Sequence, residues 1–238
     1  MVDPKIAVSL KRADELLKEL REEYDNCLST RKVSDRAEQL THEVLERLRS
    51  VLDRLARKYW DTHVAPTLSD DDKERALVYF PVTSAQNDFD SVLGRWRWKS
   101  VRAHHELVYQ WLLAKQPFQC ADNAWLSTLN ELAAHGKHID LAPQKTVEEV
   151  RQATVQNQHG ARVSYGPGVK FGPGVVLAGA QVDPKTQRIV PTAGVTETIE
   201  VWVSFVIDKY GINALAFCSG SVDKTKAIAE EMSARFGL

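Results

Sequence analysis

The chain has 238 residues, 31 Lys and Arg against 32 Asp and Glu, a formal net charge of −1 and 43% hydrophobic residues. It can therefore bury a core without disulfide or metal staples, and it is not a strongly basic protein built to coat nucleic acid along its length. No apolar run approaches the roughly 20 residues that cross a bilayer, which predicts no membrane partner. The opening stretch, MVDPKIAVSLKRADE, lacks the apolar core of a signal peptide, and Cys27, Cys120 and Cys218 are odd in number and far apart. Both features predict a cytoplasmic protein whose thiols are reduced, buried and inert.

Asp3 is placed to cap a helix with Pro4 at its first position, where the missing N–H costs nothing. Ile6, Leu10, Ala13, Leu17, Leu20, Tyr24 and Cys27 follow at steps of three and four, one apolar stripe along about seven turns. After a polar break at residues 29–32, Ser34 can cap a second long helix. Its core face is Leu40, Val44, Leu48, Val51 and Leu55, widened by Leu45, Leu52 and Tyr59. Two such helices joined by a short turn are expected to pair antiparallel. Residues 64–72 read as loop. Tyr79-Phe80-Pro81 reads as extended, because a residue before proline avoids helical angles.

Ser84 opens the next helical region. Over residues 91–114 the apolar side chains fall on two faces, Trp98, Val101, Val108 and Leu112 on one and Trp96, Leu107 and Trp111 on the other. That is the pattern of a helix buried on both sides. Asp122 can cap a further helix with Trp125, Leu126, Leu129, Leu132 and Ala133 as its inward stripe, stopped at Gly136.

Past Pro143 the composition shifts toward glycine, valine and threonine. Thr146 and Glu149 have capping-box spacing, which predicts a short helix over 146–152. Residues 165–170 (YGPGVK) and 171–176 (FGPGVV) form a two-copy hexapeptide, and Pro-Gly suits the centre of a type II turn. Residues 196–208 alternate as a strand with Ile199, Val201, Val203, Phe205 and Ile207 on one face and Trp202 and Val206 on the other. A turn at 208–211 leads to an expected strand over 214–218, and a helix over 222–236 ends at Gly237. The whole predicts an α+β fold, with a helical bundle over 1–145 followed by a small antiparallel β domain with a C-terminal helix over 146–238.

Three clusters could carry chemistry. Glu131, His135 and His138 share one side of their helix at the i, i+4, i+7 spacing by which a carboxylate and two imidazoles could hold a metal ion. The competing reading is a solvated face. Arg95, Arg97, Lys99 and Arg102 interleave with tryptophans, a composition that can bind phosphates and stack bases, or equally lay a solvated basic face over buried rings. His105 lies within an apolar stripe and reads as a hydrogen-bonded core histidine. An arginine four to six residues before a histidine occurs as Arg36/His42, Arg57/His63 and Arg97/His104, about as often as chance allows. There is no nucleophile elbow, P-loop or GxGxxG, so hydrolase, kinase and dehydrogenase readings have no support.

Taken in order, LERLRSVLDRL (45–55), YFPV (79–82), QPF (116–118) and LNELAAHGKH (129–138) resemble a group of uncharacterised bacterial proteins. That group carries an LRSALDHL-like helix, an FPI-like segment, a QPY-like segment and a helix ending in LxxLNNxDKHR. Arg54 stands where the group has histidine, Ala133 and Ala134 where it has asparagines, Gly136 where it has aspartate and Ile139 where it has arginine. The group's helical pattern is similar to the HEPN class of small helical bundles, which includes RNA-cleaving toxins beside non-catalytic members.

The resemblance implies comparing Arg49, Asp53, Lys137 and His138, with His138 as general acid/base and the cations stabilising a phosphorane-like charge. The bland alternative is a surface ion pair between Arg49 and Asp53 and a helix end complemented by Lys137 and His138. The leading expectation is thus a HEPN-like, nucleic-acid-associated protein that binds or cleaves RNA without a cofactor. The alternatives are a non-catalytic, homo-oligomeric interaction module paired through its long first helices, and a metal-binding bundle.

Overall fold

The computed structural model describes residues 2–96, 98–135 and 143–238. These fall into two compact units, one made of Met1–Lys145 with Phe205–Leu238 and the other of Thr146–Ser204. The fold is α+β, with a helical N-terminal region, small antiparallel sheets and a C-terminal helix.

In the first unit, α1 (Pro4–Thr30) starts where the Asp3 carboxylate accepts the N–H groups of Lys5 and Ile6. It ends at Arg31, which adopts the left-handed conformation at φ 53°. Its buried stripe is Ile6, Leu10, Ala13, Leu16, Leu20, Tyr24 and Cys27, with Leu16 in the place expected of Leu17. Ser34 Oγ accepts the N–H of Ala37 and opens α2 (Asp35–Tyr59). Every apolar residue expected on the core face of α2 is buried, and each fully buried leucine contributes about 1.5–3 kcal/mol. Arg54 bonding to Ser9, Lys58 to Asp3 and Ser34 to Glu23 fix the two helices antiparallel. Their apolar stripes are thereby used within the chain. Lys11, Glu15, Lys18 and Glu22 face solvent on α1, where Val8 and Leu28 are also exposed.

Residues 64–72 are more ordered than a loop. A π-turn (Trp60–Val64) prolongs α2, a 3-10 turn (Ala65–Thr67) follows, and Ser69 caps the short helix α3 (Asp70–Glu74). The expected continuous helix over 91–114 is three pieces: α4 (Gln86–Arg95), α5 (Lys99–His104) and α6 (Glu106–Ala114). Breaks at Trp96 and at His105 (φ −135°, ψ 47°) re-aim each piece, so Trp98, Val101, Val108, Trp111 and Leu112 are all buried while Leu107 points to solvent. A 3-10 turn (Ala121–Asn123) precedes α7 (Trp125–His135), where Leu126, Leu129, Leu132 and Ala133 are buried.

Two local expectations are corrected. Residues 146–152 form no helix; they lie in strand β1 (Gln144–Asn157), where sheet pairing overrides the capping-box spacing. Residues 214–218 form no strand. Asn213 Oδ1 accepts the N–H of Ala216, and α8 (Ala214–Phe236) starts there, with Ala214 and Cys218 four residues apart on its inner face. Instead of closing the β unit, α8 packs on α1 and α2. Ala214, Cys218, Val222, Ile228, Ala229 and Met232 give it an apolar side that the helical unit can bury.

The strands are β1, β2 (Arg162–Tyr165), β3 (Val176–Leu177), β4 (Ala180–Asp183), β5 (Arg188–Ile189), β6 (Val195–Ile207) and β7 (Ile212–Asn213). One sheet has the order β2-β1-β6-β7 and a smaller one β3-β4-β5. β1 pairs antiparallel with β2 in the register Ala153 to Tyr165 and Val155 to Val163. The second unit buries Val155, Leu177 and Val182, with Tyr165, Phe171 and Ile189 packed around them. Both Pro-Gly turns hold glycine at positive φ, Gly168 at 91° and Gly174 at 85°, the conformation a type II turn requires after proline.

Candidate functional site

Three of the sequence motifs meet at residues 79–83, an extended stretch of the helical unit. Arg49 and Asp53 lie one turn apart on α2 and form an ion pair at 2.8 Å. Arg49 Nη2 donates to the Phe80 carbonyl at 2.9 Å, and Asp53 Oδ1 accepts the Phe80 N–H at 2.9 Å. Beyond Pro81, the side chain of Gln116 completes the grip. Its Nε2 donates to the carbonyls of Pro81 and Leu112, and its Oε1 accepts the N–H and hydroxyl of Thr83. Gln116 is fully buried at 0% exposure, so its amide has no water to fall back on.

Burial pulls the pKa of Arg49 below its ordinary value, against the opposing pull of Asp53 and Tyr79. A guanidinium nevertheless stays charged inside a protein. Its Nη1 is buried without a hydrogen-bond partner among the described residues. One nitrogen of Arg49 and one oxygen of Asp53 thus serve the backbone of Phe80.

The clamp has an outward consequence. Successive side chains of an extended chain point to opposite sides. With Phe80 locked inward at 0% exposure, Tyr79 is turned to solvent at 47%. Its ring meets half-buried Trp96 edge-on, with centroids 5.6 Å apart and planes at 68°. Arg95, the last residue of α4, is exposed beside Trp96, and its side chain has no ion-pair partner among the described residues. Arg102 on α5 lies 3.7 Å from Asp90 and over the Tyr109 ring at 5.3 Å. Lys99 is the first residue of α5, and Arg97 lies outside the described residues.

A cleft of about 350 Å³ runs along α1 and α2, lined by Arg12, Arg47, Glu43, Glu46, Arg49 and Asp53 among others. Its three arginines are balanced by three carboxylates, which gives it no preference for a charged ligand.

The sequence-derived catalytic set is brought together only in its first half, since Lys137 and His138 lie outside the described residues. Of the metal set, His138 is likewise outside, His135 closes α7, and Glu131 is engaged by Lys209 at 2.9 Å and by the Tyr210 hydroxyl. Among the described residues no three His, Cys, Asp or Glu side chains are grouped to hold a metal ion.

His105 does bond to the Tyr59 hydroxyl at 3.2 Å through Nδ1. The cysteines divide. Cys27 and Cys218 are buried, whereas Cys120 is exposed in the connection between α6 and α7, which corrects the expectation of three buried thiols. Among the described residues no helix is long and apolar enough to cross a membrane.

The Tyr79–Trp96 pair and the role of Gln116 were missed by sequence reasoning. The signal lay in the phenylalanine before proline, since fixing that side chain inward fixes its neighbour outward. Comparison with known proteins finds no matching family model, no similar curated protein and no similar solved structure.

Proposed function

We propose that this protein is HEPN-like and nucleic-acid-associated, and that it binds single-stranded RNA across the rings of Tyr79 and Trp96. The observation that carries the reading is the exposed Tyr79 ring, set by a buried clamp edge-on to half-buried Trp96, next to Arg95, a cation with no ion-pair partner among the described residues. Bases stack on such rings in a sequence-tolerant way, contributing about 1–3 kcal/mol per base, while nearby cations follow the phosphates. A net charge of −1 restricts binding to this local surface. Arg49 and Asp53 act as positioning residues that set the Tyr79 ring. His138, with Lys137, is the group to test for general acid/base cleavage.

The test is binding of labelled single-stranded RNA at low salt, with and without EDTA, read for both retention and cleavage. Tyr79→Ala is expected to weaken binding by about tenfold or more. Arg95→Ala is expected to lower the salt slope by about one unit for one lost phosphate contact. Cleavage that survives EDTA and disappears in His138→Ala makes the protein a metal-independent nuclease; retention without cleavage makes it a binding protein. RNA that is not retained at low salt, or is retained equally by Tyr79→Ala, overturns the proposal.

A further inference from the structure

A second charged cleft lies where the N-terminal end of α1 meets the last turns of α2, with a volume of about 460 Å³. Lys5, Arg54, Arg57 and Lys58 line it with Asp3 and Asp61, so two positive charges are in excess on a chain whose net charge is −1. The internal pairing leaves an asymmetry. Lys58 is bound to Asp3, and Arg57 holds Asp61 with two contacts, at 2.8 and 3.0 Å. Arg54 has no carboxylate among the described residues; its Nη1 is oriented by a bond to Ser9 Oγ at 2.6 Å, and Ser9 is held in turn by the carbonyl of Lys5. The Lys5 ammonium has no partner among the described residues and stands on the first turn of a 27-residue helix, whose positive dipole end adds to the field.

We propose that this cleft binds a phosphate dianion, either free or as the monoester of a nucleotide. Two uncompensated cations match a charge of −2. The Arg54 fork, fixed by Ser9, suits paired phosphate oxygens, and Lys5 supplies a mobile point charge on the other side. The two existing ion pairs, Lys58 with Asp3 and Arg57 with Asp61, line the same cleft and leave Arg54 and Lys5 as its uncompensated cations. The site is separate from the Tyr79 surface and does not depend on RNA binding there.

The experiment is calorimetric titration of the full chain with inorganic phosphate and, separately, with adenosine 5′-monophosphate. Chloride at equal ionic strength is the blank, and circular dichroism checks each variant's fold. Phosphate binding that falls about tenfold or more in both Arg54→Gln and Lys5→Gln, while Lys185→Gln, at an exposed lysine of the second unit, binds as wild type, is the expected result. Lys5 is fully outside the core, so its variant keeps the test valid if Arg54→Gln is less stable. Equal affinity for the two probes identifies the phosphate group alone as the ligand, and tighter binding of the nucleotide identifies a monoester. Absence of phosphate heat above the chloride blank, or undiminished binding in both variants, overturns the assignment.

Discussion

Arg49 and Asp53 grip the same residue from two sides: one donates to the carbonyl of Phe80 and the other accepts its N–H, each at 2.9 Å. An ion pair on one face of a helix thereby becomes a fastener for a segment about thirty residues away in sequence. Helix-surface ion pairs contribute only a few tenths of a kcal/mol. This pair differs because Arg49 is 14% and Asp53 25% exposed at the side chain, and both also satisfy backbone groups.

Asp53→Ala is therefore expected to destabilise the protein by about 3 kcal/mol, since it strands a half-buried guanidinium and orphans the Phe80 N–H. Urea unfolding monitored by tryptophan fluorescence measures this. The double variant Arg49→Met/Asp53→Leu is expected to cost less than the sum of the single variants, because removing both charges leaves neither stranded. A cost of only a few tenths for Asp53→Ala marks the pair as a simple surface contact.

Gln116 offers a second handle on the same segment. Gln116→Leu keeps most of the volume but leaves the Pro81 and Leu112 carbonyls and the Thr83 N–H without their amide partner. The expected loss is about 3 kcal/mol or more, at roughly 1–3 kcal/mol for each of the three groups left unsatisfied. The variant is also expected to weaken RNA retention beyond its effect on folding, by freeing the segment that carries Tyr79. Unchanged retention in a folded Gln116→Leu protein separates the clamp from the Tyr79 surface.

What could be read in the sequence followed the strength of local periodicity. The stripes of α1 and α2 are long and uninterrupted, so caps and buried faces emerge almost residue for residue, with the exchange of Leu17 for Leu16 reflecting one step of three in place of four. The helix expected at 146–152 and the strand expected at 214–218 were lost to non-local forces. Incorporation of β1 into the sheet between β2 and β6 draws it out of helical geometry, and the Asn213 cap draws the start of α8 into it. The clamp was visible only as separate strings, because hydrogen bonds from Arg49, Asp53 and Gln116 to a distant backbone leave no spacing signature. Lys137 and His138 lie outside the described residues, so the convergence expected of them rests on the resemblance alone.

The thiols provide a check on packing. Burial pushes the Cys218 thiol up to about 12, and Cys27 is 4% exposed, while Cys120 is open to solvent. Titration of the native protein with a disulfide reagent at pH 8 is expected to modify Cys120 rapidly and the other two only on unfolding. Cys120→Ser is expected to abolish the fast phase and leave stability within about 0.5 kcal/mol, as for other exposed positions. Rapid modification of Cys218 in the native protein contradicts the packing of α8 against α1 and α2.

His105, at the break between α5 and α6, accepts or donates a single hydrogen bond, to Tyr59, and its Nε2 is buried without a partner among the described residues. Burial lowers its pKa below 6.5, and the neighbouring His63 and His104 lower it further. The folded protein therefore favours the neutral ring, whereas the unfolded chain takes up a proton near pH 6.5. Linkage then requires the contribution of His105 to stability to be complete above about pH 6.5 and to be lost as pH falls through the lower folded value.

His105→Phe keeps an aromatic ring edge-on to Tyr59 while removing the titration. Stability measured by urea unfolding between pH 7.5 and pH 5 is expected to decline less in this variant than in wild type. His63, whose Nε2 meets the Phe236 carbonyl at 3.1 Å, is left in place as the internal control. Parallel pH profiles for the two proteins assign the acid sensitivity to groups other than His105.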